Sequence, residues 1–428
     1  MGCYGYPRGT TPNIDKLSKE GILLESHFSH APTTSASHMT IFTSVYPSIH
    51  NIKNWDDANG VEGTKTLSPQ IKTFAEILDK SGFNTVSYNG GGNISSILGF
   101  GRGFKKYREN SETEVLDWLF VKPEEPFFLF YHTYQPHDPY NPFSPLDKLF
   151  DPDYKGDIIS NPESMIRKLP EGTDEFHLVR ETFWSSLNKD NLNREIYHIK
   201  SLYDSEIFIT DLFLNKLFKR LKELDLYDRT IIIFLSDHGE EFFEHKSFLH
   251  ERLYREILHV PCIVKHPDYR QSIISKVTRN IDIMPTILDL FKLSPPDYIQ
   301  GKSMVNLLKG GKYKTPPIFS ESQDKRESKA LQLMDNYKMI VNLNYSSLIE
   351  LPKFEDLEPI ELYELENDML ETKNIFEGKK DEKQIKILSR KLQKFIQDNN
   401  ERSNFTRGEK VKYDSETEEK LRSLGYIN

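Results

Sequence analysis

The chain has little cysteine, no long apolar run and no excess of positive charge. Its 428 residues include only Cys3 and Cys262, which excludes a disulfide scaffold and a four-cysteine metal site. The longest apolar runs, such as residues 231–235, are far too short to cross a bilayer, and the first residues lack the regions of a signal peptide. Lys and Arg number 56 against 65 Asp and Glu, a net charge of −9 that argues against nucleic-acid binding.

Apolar and aromatic residues are plentiful enough for a large core. Hydrophobic residues make up 37% of the chain, with 27 Phe and 21 Tyr, so the protein is expected to be globular without disulfides. The length is that of one large α/β domain with an appendage, or of two or three domains. As written, the chain is expected to be soluble and cytoplasmic, while an upstream signal or membrane segment stays open.

Segments of strand and helix pattern alternate as far as about residue 315. We expect strands at 21–28, 85–88, 126–131 and 230–235, and helices at 35–43, 71–81 and 195–224. The continuous apolar run 126–131 predicts a strand buried on both faces, and the run 230–235 predicts a central strand. Strands at 337–341 and 361–365 and a helix at 381–399 follow. The pattern predicts an α/β region over 1–315, a small α+β subdomain over 316–400 and a polar tail over 401–428.

Hydroxyl and imidazole side chains lie at the start of the predicted helix at 35–43. Thr34 immediately precedes this helix, and Ser37 and His38 lie in its first turn. A hydroxyl at a helix N-terminus lies where free N–H groups and the helix dipole favour negative charge, which suits a nucleophile and the anion attached to it. The alternative is an N-capped helix with a surface histidine.

Two further clusters follow predicted strands. Asp237 and His238 come directly after 230–235, with His250 nearby, and a carboxylate with an imidazole can hold a divalent cation. His137 follows 126–131 in a stiff, proline-rich loop, which suits a positioned acid or an anion donor. The alternatives are a turn capped by Asp237 and a loop histidine without a role.

Motifs in a fixed order along the chain carry a family resemblance. They are Cys3-Tyr4-Gly5-Tyr6, Thr11 to Leu17, Ser37 to Pro47, Phe130 to Tyr140, Tyr203 to Ile207, Ser236 to Glu240, Tyr254 to Pro261, Asp282 to Thr286, Glu361 to Asp368 and Leu424 to Ile427. With these motifs the chain resembles the sulfatase family of the alkaline phosphatase superfamily. The resemblance implies a three-layer αβα sandwich with a central mixed sheet and a small C-terminal α+β subdomain.

The resemblance also implies roles for the site residues. Thr34 occupies the nucleophile position, where typical sulfatases have a Cys or Ser that is oxidised to formylglycine. Thr cannot give that aldehyde, so no formylglycine is expected. Asp237 and His238, with Thr34, match metal ligands for one divalent ion, which could be Zn, Mn, Ca or Mg.

The remaining roles concern the substrate. His137 and His250 match positions that contact its anionic group, so they are expected to bind it and to take part in catalysis. Ser37 is expected to bind substrate, and His38 to take part in catalysis. The implied function is metal-dependent hydrolysis of a sulfate or phosphate ester of a small molecule, glycan or lipid.

Two alternatives remain. One is a phosphoethanolamine-type transferase, whose relatives usually have membrane spans, and the other is a non-catalytic or truncated inactive protein. The second rests on one departure from the family. Relatives carry a first strand ending in one or two Asp ligands just upstream of the Cys3-Tyr4-Gly5-Tyr6 equivalent, and this chain starts after that point. A start-site error or a fragment is therefore expected, with a loss of catalysis as the third explanation.

Overall fold

The structure is a computed structural model. It describes residues 1–54, 65–156, 158, 180, 182–323, 328–332, 337–342, 360–379 and 382–403. Most of the predicted polar tail, from residue 404 onward, and the motif at 424–427 lie outside these residues. Among the residues described, no helix is long and apolar enough to cross a bilayer.

Helices are spread along the whole chain. They are α1 (Pro12–Glu20), α2 (Thr34–Thr43), α3 (Pro47–His50), α4 (Phe74–Lys80), α5 (Val115–Trp118), α6 (Leu192–Glu223), α7 (Arg255–Leu258), α8 (Ile283–Leu290), α9 (Val305–Leu308), α10 (Phe376–Lys379) and α11 (Lys383–Ser403).

The strands alternate with these helices until the C-terminal part of the chain. They are β1 (Ile22–Leu24), β2 (His27–Phe28), β3 (Asn84–Asn89), β4 (Lys106–Glu109), β5 (Phe127–Tyr131), β6 (Ile232–Leu235), β7 (Glu241–Phe242), β8 (Phe248–Leu249), β9 (His259–Val260), β10 (Cys262–Lys265), β11 (Ser272–Ile274), β12 (Thr278–Arg279), β13 (Ile318–Ser322), β14 (Ser328–Gln332), β15 (Tyr337–Asn342) and β16 (Ile360–Glu364).

The described residues form five sheets, and the α/β region contains one four-stranded mixed sheet and one three-stranded parallel sheet. The mixed sheet has the order β11-β1-β10-β6, and the parallel sheet has the order β4-β3-β5. Strands β1 and β11 are parallel, while β10 runs antiparallel to β1 and to β6. Small sheets β12-β2-β9 and β7-β8 lie beside them. The α/β class predicted from the sequence is confirmed.

Local sequence explains where the helices begin. Helix α4 begins at Phe74 rather than at the predicted residue 71, because Thr73 and Glu76 form a reciprocal capping box. The N-terminus of α1 is held by another helix: Asp211 of α6 accepts hydrogen bonds from the backbone N–H groups of Asn13 and Ile14. Its carboxylate therefore satisfies free donors of α1 and ties the two helices together.

Two apolar layers cover the opposite faces of the sheets. One contains Phe128 and Phe130 of β5 together with Ile233 and Leu235 of β6. The other contains side chains that alternate with these along the same two strands, which are Phe127, Leu129, Tyr131, Ile232 and Phe234. Because each layer takes side chains from both strands, the mixed and parallel sheets lie side by side between shared helical layers.

The predicted burial of β5 on both faces and the predicted central position of β6 are wrong. Both β5 and β6 are half-buried along their length, whereas we expected burial on both faces for the first and a central position for the second. The reason is that β5 pairs with β3 and β6 pairs with β10, so that each is the edge strand of its sheet. Their sequences are those of central strands, but within the described part of the chain each has one pairing neighbour.

The C-terminal part forms an antiparallel sheet. Strands β13 to β16 pair in chain order, and α11 packs against them through residues such as Ile385, Leu388 and Leu392. The predicted strands at 337–341 and 361–365 and the helix at 381–399 correspond to β15, β16 and α11. The predicted boundaries at residues 315 and 400 stay predictions.

Buried histidines tie stability to pH, and His50 shows how. Its Nδ1 accepts a hydrogen bond from the N–H of Ile52 at 3.1 Å, and its Nε2 lies 3.2 Å from Thr40 Oγ1. Burial lowers the pKa of His50 to about 3. Protonation at Nδ1 would break the bond from Ile52, so the folded protein holds this ring neutral.

The predicted consequence is a loss of stability in acid. Below the ordinary histidine pKa the unfolded chain binds a proton that folded His50 does not. The contribution of the neutral His50 ring to the unfolding free energy is therefore complete above about pH 6.5. Below that pH it falls by about 1.4 kcal/mol per pH unit. We expect His50→Asn, which keeps an acceptor for Ile52, to reduce the slope of unfolding free energy against pH, measured in urea from about pH 7.5 to about pH 5.

The matched control is His266→Asn. His266 is partly exposed, and its Nδ1 likewise accepts from a backbone N–H, that of Asp268. A smaller change in slope is expected there, and equal slopes in His50→Asn and the unaltered protein would contradict the assignment.

Candidate active site

The predicted site residues converge where two strands and one helix end. The carboxyl end of β5 leads into His132, the carboxyl end of β6 leads into Asp237 and His238, and Thr34 begins α2. Since ring and carboxylate contacts join all three segments, the carboxyl ends of β5 and β6 lie at the same edge. The two strands therefore run in the same direction, and the site lies at the edge where open α/β sheets bind ligands.

Thr34 is buried at the N-terminus of α2, facing a histidine. Its Oγ1 lies 3.3 Å from Nε2 of His238, and the residue is 1% exposed. The preceding N-cap residue, Thr33, makes no capping bond with its side chain. The N–H of Ser35 instead donates to Oδ1 of Asn54. The Thr34 hydroxyl thus lies within the favourable field of a helix N-terminus.

His238 presents a lone pair to this hydroxyl. Its Nδ1 lies 2.9 Å from the carbonyl oxygen of Gly239 and donates to it, which leaves Nε2 unprotonated in the neutral ring. Burial lowers the pKa of His238 to about 4, against the opposing effect of Asp237. A neutral imidazole with a fixed tautomer is the form that accepts a hydrogen bond or ligates a metal.

Asp237 lies between two histidines. Its Oδ2 is 3.3 Å from Nδ1 of His38 and 3.4 Å from Nε2 of His238. Burial alone would raise the pKa of the Asp237 carboxyl, but His238 and His38 outweigh burial and hold that pKa well below its usual range. Asp237 is therefore a carboxylate at neutral pH.

The loop that bears Asp237 is fixed by its backbone. Ser37 Oγ donates to the carbonyl oxygen of Asp237 at 2.7 Å, and Gly239 N–H donates to Ile257 O at 2.7 Å. A Cβ at residue 239 would lie 2.0 Å from the carbonyl oxygen of Glu256, so the close approach of these two segments requires glycine.

Two more histidines lie on the other side of the carboxylate. His250 stacks on His238 with ring centroids 4.1 Å apart, and the rings of His137 and His250 lie 5.2 Å apart. Nδ1 of His250 lies 3.1 Å from Oε1 of Glu240. Burial, strengthened by His137, lowers the pKa of His250 to about 4. Burial, strengthened by Asp138, raises the pKa of Glu240 to about 7.

His132 and Glu240 were missed as site residues. The half-buried His132 packs against His38, with ring centroids 4.9 Å apart, and its buried Nδ1 has no hydrogen-bond partner among the residues described. Burial, strengthened by His38, lowers its pKa to about 3. His132 directly follows β5, and Asp237 follows β6 after one residue, so a position just beyond a strand end is the signal that could have identified His132.

The donor set fits a divalent cation. The carboxylate of Asp237 and the lone pair of His238 face the Thr34 hydroxyl, and both groups are held in the protonation states that metal binding needs. A second group, formed by Glu241, His245 and Glu256, has ligand atoms within 4.8 Å of one another. There His245 Nδ1 lies 2.7 Å from Glu256 and Nε2 lies 2.9 Å from Glu371 O, a pattern that suits an ion-paired imidazolium.

The structure thus brings together all the residues named from the sequence, which are Thr34, Ser37, His38, His137, Asp237, His238 and His250. Their chemical roles stay predictions. The hydroxyl of Ser37 already bonds Ser29 Oγ and the backbone of Asp237, which is a positioning role beside the predicted contact with substrate.

Comparisons with known proteins give one family. The family model "Sulfatase" matches residues 1–293, and the model "N-sulphoglucosamine sulphohydrolase, C-terminal" matches residues 243–398. Arylsulfatase K of mouse is 32% identical over 152 residues, which are 32% of this chain and 28% of that protein. The match therefore spans under a third of the length of that relative. A Delta 4,5-hexuronate-2-O-sulfatase of Bacteroides thetaiotaomicron is 21% identical over 91% of this chain and 83% of its own.

Solved structures share the fold. A protein in complex with its substrate D-glucosamine-2-N,6-O-disulfate has a TM-score of 0.72 and 19% identity, covering 94% of this chain and 95% of its own. A phosphonate monoester hydrolase of Agrobacterium radiobacter has a TM-score of 0.73 and 17% identity, covering 93% of each chain. The alkaline-phosphatase-like α/β fold expected from the sequence is confirmed.

Metal binding can distinguish the site at Asp237 and His238 from the second group, formed by Glu241, His245 and Glu256. We expect Asp237→Asn to lower the affinity for Mn²⁺ or Zn²⁺ at least about tenfold in titration calorimetry, because it removes the charged ligand. Glu241→Gln serves as the matched control and should leave that affinity unchanged. A loss of metal affinity in Glu241→Gln, with no loss in Asp237→Asn, would show instead that the metal binds to the second group.

Proposed function

The chain belongs to the sulfatase family of ester hydrolases, and from that premise we propose that it cleaves a sulfate or phosphate ester with Thr34 as its nucleophile. The observation that carries the proposal is the 3.3 Å approach of Thr34 Oγ1 to the lone pair of His238, at a buried helix N-terminus. A nucleophilic hydroxyl needs surroundings that favour loss of its proton and that stabilise the oxyanion. The helix N-terminus would stabilise the oxyanion, and a divalent cation ligated by the lone pair of His238 would favour loss of the proton.

Asp237, His238 and Thr34 would hold the divalent cation. Bound there, the cation would supply Lewis acidity, lowering the pKa of the hydroxyl and neutralising charge on the ester. Imidazole with carboxylate suits Zn or Mn better than Ca or Mg. Asp237 is held as a carboxylate by the histidines beside it, and His238 is held neutral by burial.

The remaining residues bind the substrate or hold the other site residues in position. The Thr34 hydroxyl loses its proton to solvent, and its oxygen attacks sulfur or phosphorus in line. The covalent ester forms as the bond to the leaving oxygen breaks, and the leaving oxygen takes a proton. His137, whose side chain is 21% exposed, lies beside His250 where it can bind the anionic oxygens or supply that proton. His38 links Asp237 to α2, since its Nδ1 lies 2.9 Å from Thr34 O. Water then hydrolyses the covalent ester.

A sulfate ester of a sugar is the proposed substrate class. The hexuronate sulfatase that spans most of this chain and the structure holding a disulfated glucosamine support it. The phosphonate monoester hydrolase with the same fold is the reason to include phosphorus esters. Both chemistries place negative oxygens against His137 and His250.

Substitution of Thr34 tests the nucleophile. With aryl sulfate, aryl phosphate and aryl phosphodiester substrates and added Mn²⁺ or Zn²⁺, we expect Thr34→Ala to lower kcat at least about a thousandfold. Thr34→Ser should retain activity, and chelation of the metal should abolish it. The matched control is Ser35→Ala, since Ser35 is the next hydroxyl on α2 and donates to Asn93 O instead. Metal-dependent turnover that Thr34→Ala leaves intact would refute the proposal.

A further inference from the structure

The loop that carries His137 has little backbone support of its own. It runs from residue 135 to residue 141, and we call it the proline-rich loop because Pro136 and Pro139 lie within it. Neither proline has an N–H to donate. The backbone hydrogen bond in its first turn runs from the N–H of His137 to the carbonyl oxygen of Tyr134, at 2.8 Å. Side chains must therefore fix the position of this loop.

One glutamate of α6 holds both ends of the proline-rich loop. Oε2 of Glu206 accepts a hydrogen bond from the side-chain amide of Gln135, at the start of the loop. Oε1 accepts from the backbone N–H of Asn141, at its end, over 2.8 Å. Glu206 is only 2% exposed. The two oxygens of one buried carboxylate thus fix where the loop begins and where it ends.

The burial of this carboxylate is offset by hydrogen bonds rather than by an opposite charge. Burial raises the pKa of Glu206 to about 7, against the opposing effect of the bonds from Gln135 and Asn141. Among the residues described, no charged side chain contributes to that pKa. A buried carboxylate without an ion pair costs free energy unless its oxygens accept hydrogen bonds. Both of the bonds that offset this cost come from the proline-rich loop.

The same face of α6 supports the segment that leads to the neighbouring histidine. Tyr203 lies one turn before Glu206, and its ring packs 5.4 Å from that of Tyr140 and 4.9 Å from that of Phe242. Tyr140 belongs to the proline-rich loop, and Phe242 belongs to β7, which with β8 leads to His250. One helix face therefore holds the two segments relative to one another.

We propose that Glu206 is a positioning residue that holds His137 against His250 and thereby sets the affinity of the site for the anionic group of the ester. The rings of these two histidines lie 5.2 Å apart. The contact with the anion rests on the proposed function, whereas the positioning of the loop does not. Glu206 itself acts through the loop and does not touch the ester.

Three variants separate the carboxylate from the rest of α6. Glu206→Gln keeps the size of the side chain but has one acceptor oxygen, so that its amide would face a donor of the loop. Gln135→Ala removes one of the two bonds and leaves the carboxylate in place. The matched control is Glu195→Gln, because Glu195 is a glutamate of the same helix, is also 2% exposed and accepts from the hydroxyl of Tyr154 at 2.7 Å instead.

The surroundings of the His137 ring report its position without catalysis. Its ring lies 5.5 Å from that of Tyr134 and 5.2 Å from that of His250, so ring currents shift the signals of its carbon-bound protons. In NMR of protein labelled at its histidines, with His137→Ala to assign these signals, we expect them to move in Glu206→Gln and in Gln135→Ala. They should stay in place in Glu195→Gln. Unchanged signals in both loop variants, or an equal change in the control, would overturn the proposal.

The affinity for product anions tests the consequence for the site. Inorganic phosphate and sulfate are titrated separately in the presence of Mn²⁺ or Zn²⁺. We expect their dissociation constants to rise at least about tenfold in Glu206→Gln and in His137→Ala, with metal affinity unchanged in Glu206→Gln and anion affinity unchanged in Glu195→Gln. Gln135→Ala should raise the anion dissociation constants in the same direction.

The two proposals fail in different ways. Weaker anion binding in His137→Ala, with none in Glu206→Gln and Gln135→Ala, would overturn the role of Glu206 and leave the proposed function standing. Unchanged anion binding in His137→Ala would refute the contact between His137 and the anion in the proposed function, and with it the effect of Glu206 on affinity. The NMR signals of His137 would still decide whether Glu206 positions the loop.

Discussion

The contact between the N-terminus of α2 and the loop after β6 is the constraint on which the site depends. Ser37 donates to the carbonyl oxygen of Asp237, and the glycine at residue 239 lets the loop lie against the carbonyl oxygen of Glu256. These two backbone contacts place Thr34 within 3.3 Å of His238. A nucleophile on a helix and its partners on a strand end can act together only if such contacts hold them in register.

Electrostatics at the site follows from burial among imidazoles. Burial keeps His132, His238 and His250 neutral, while Asp237 retains its charge because two imidazoles lie beside it. Neutral nitrogens next to one carboxylate form a donor set for a cation and leave room for further negative charge. The proposed substrate anion uses that room.

Much of this arrangement could be predicted from local sequence. Helix α6 and strands β3 and β15 lie within a few residues of their predicted bounds, because periodicity and capping signals are local. Thr34, Asp237 and His238 were found because each lies at the end of an element. The half-burial of β5 and β6 could not be found this way, since a strand's neighbours are set by tertiary pairing. His132 was missed because a single histidine after a strand has no periodic signal of its own.

Trapping the covalent ester would identify directly whether Thr34 is the nucleophile. The full chain, supplied with Mn²⁺ or Zn²⁺ and a substrate that it turns over, would be quenched in acid during turnover, digested and examined by peptide mass spectrometry. The account predicts a sulfuryl or phosphoryl group on the oxygen of Thr34. A label on another residue, or steady turnover with Thr34 unlabelled under conditions that stabilise such esters, would contradict it.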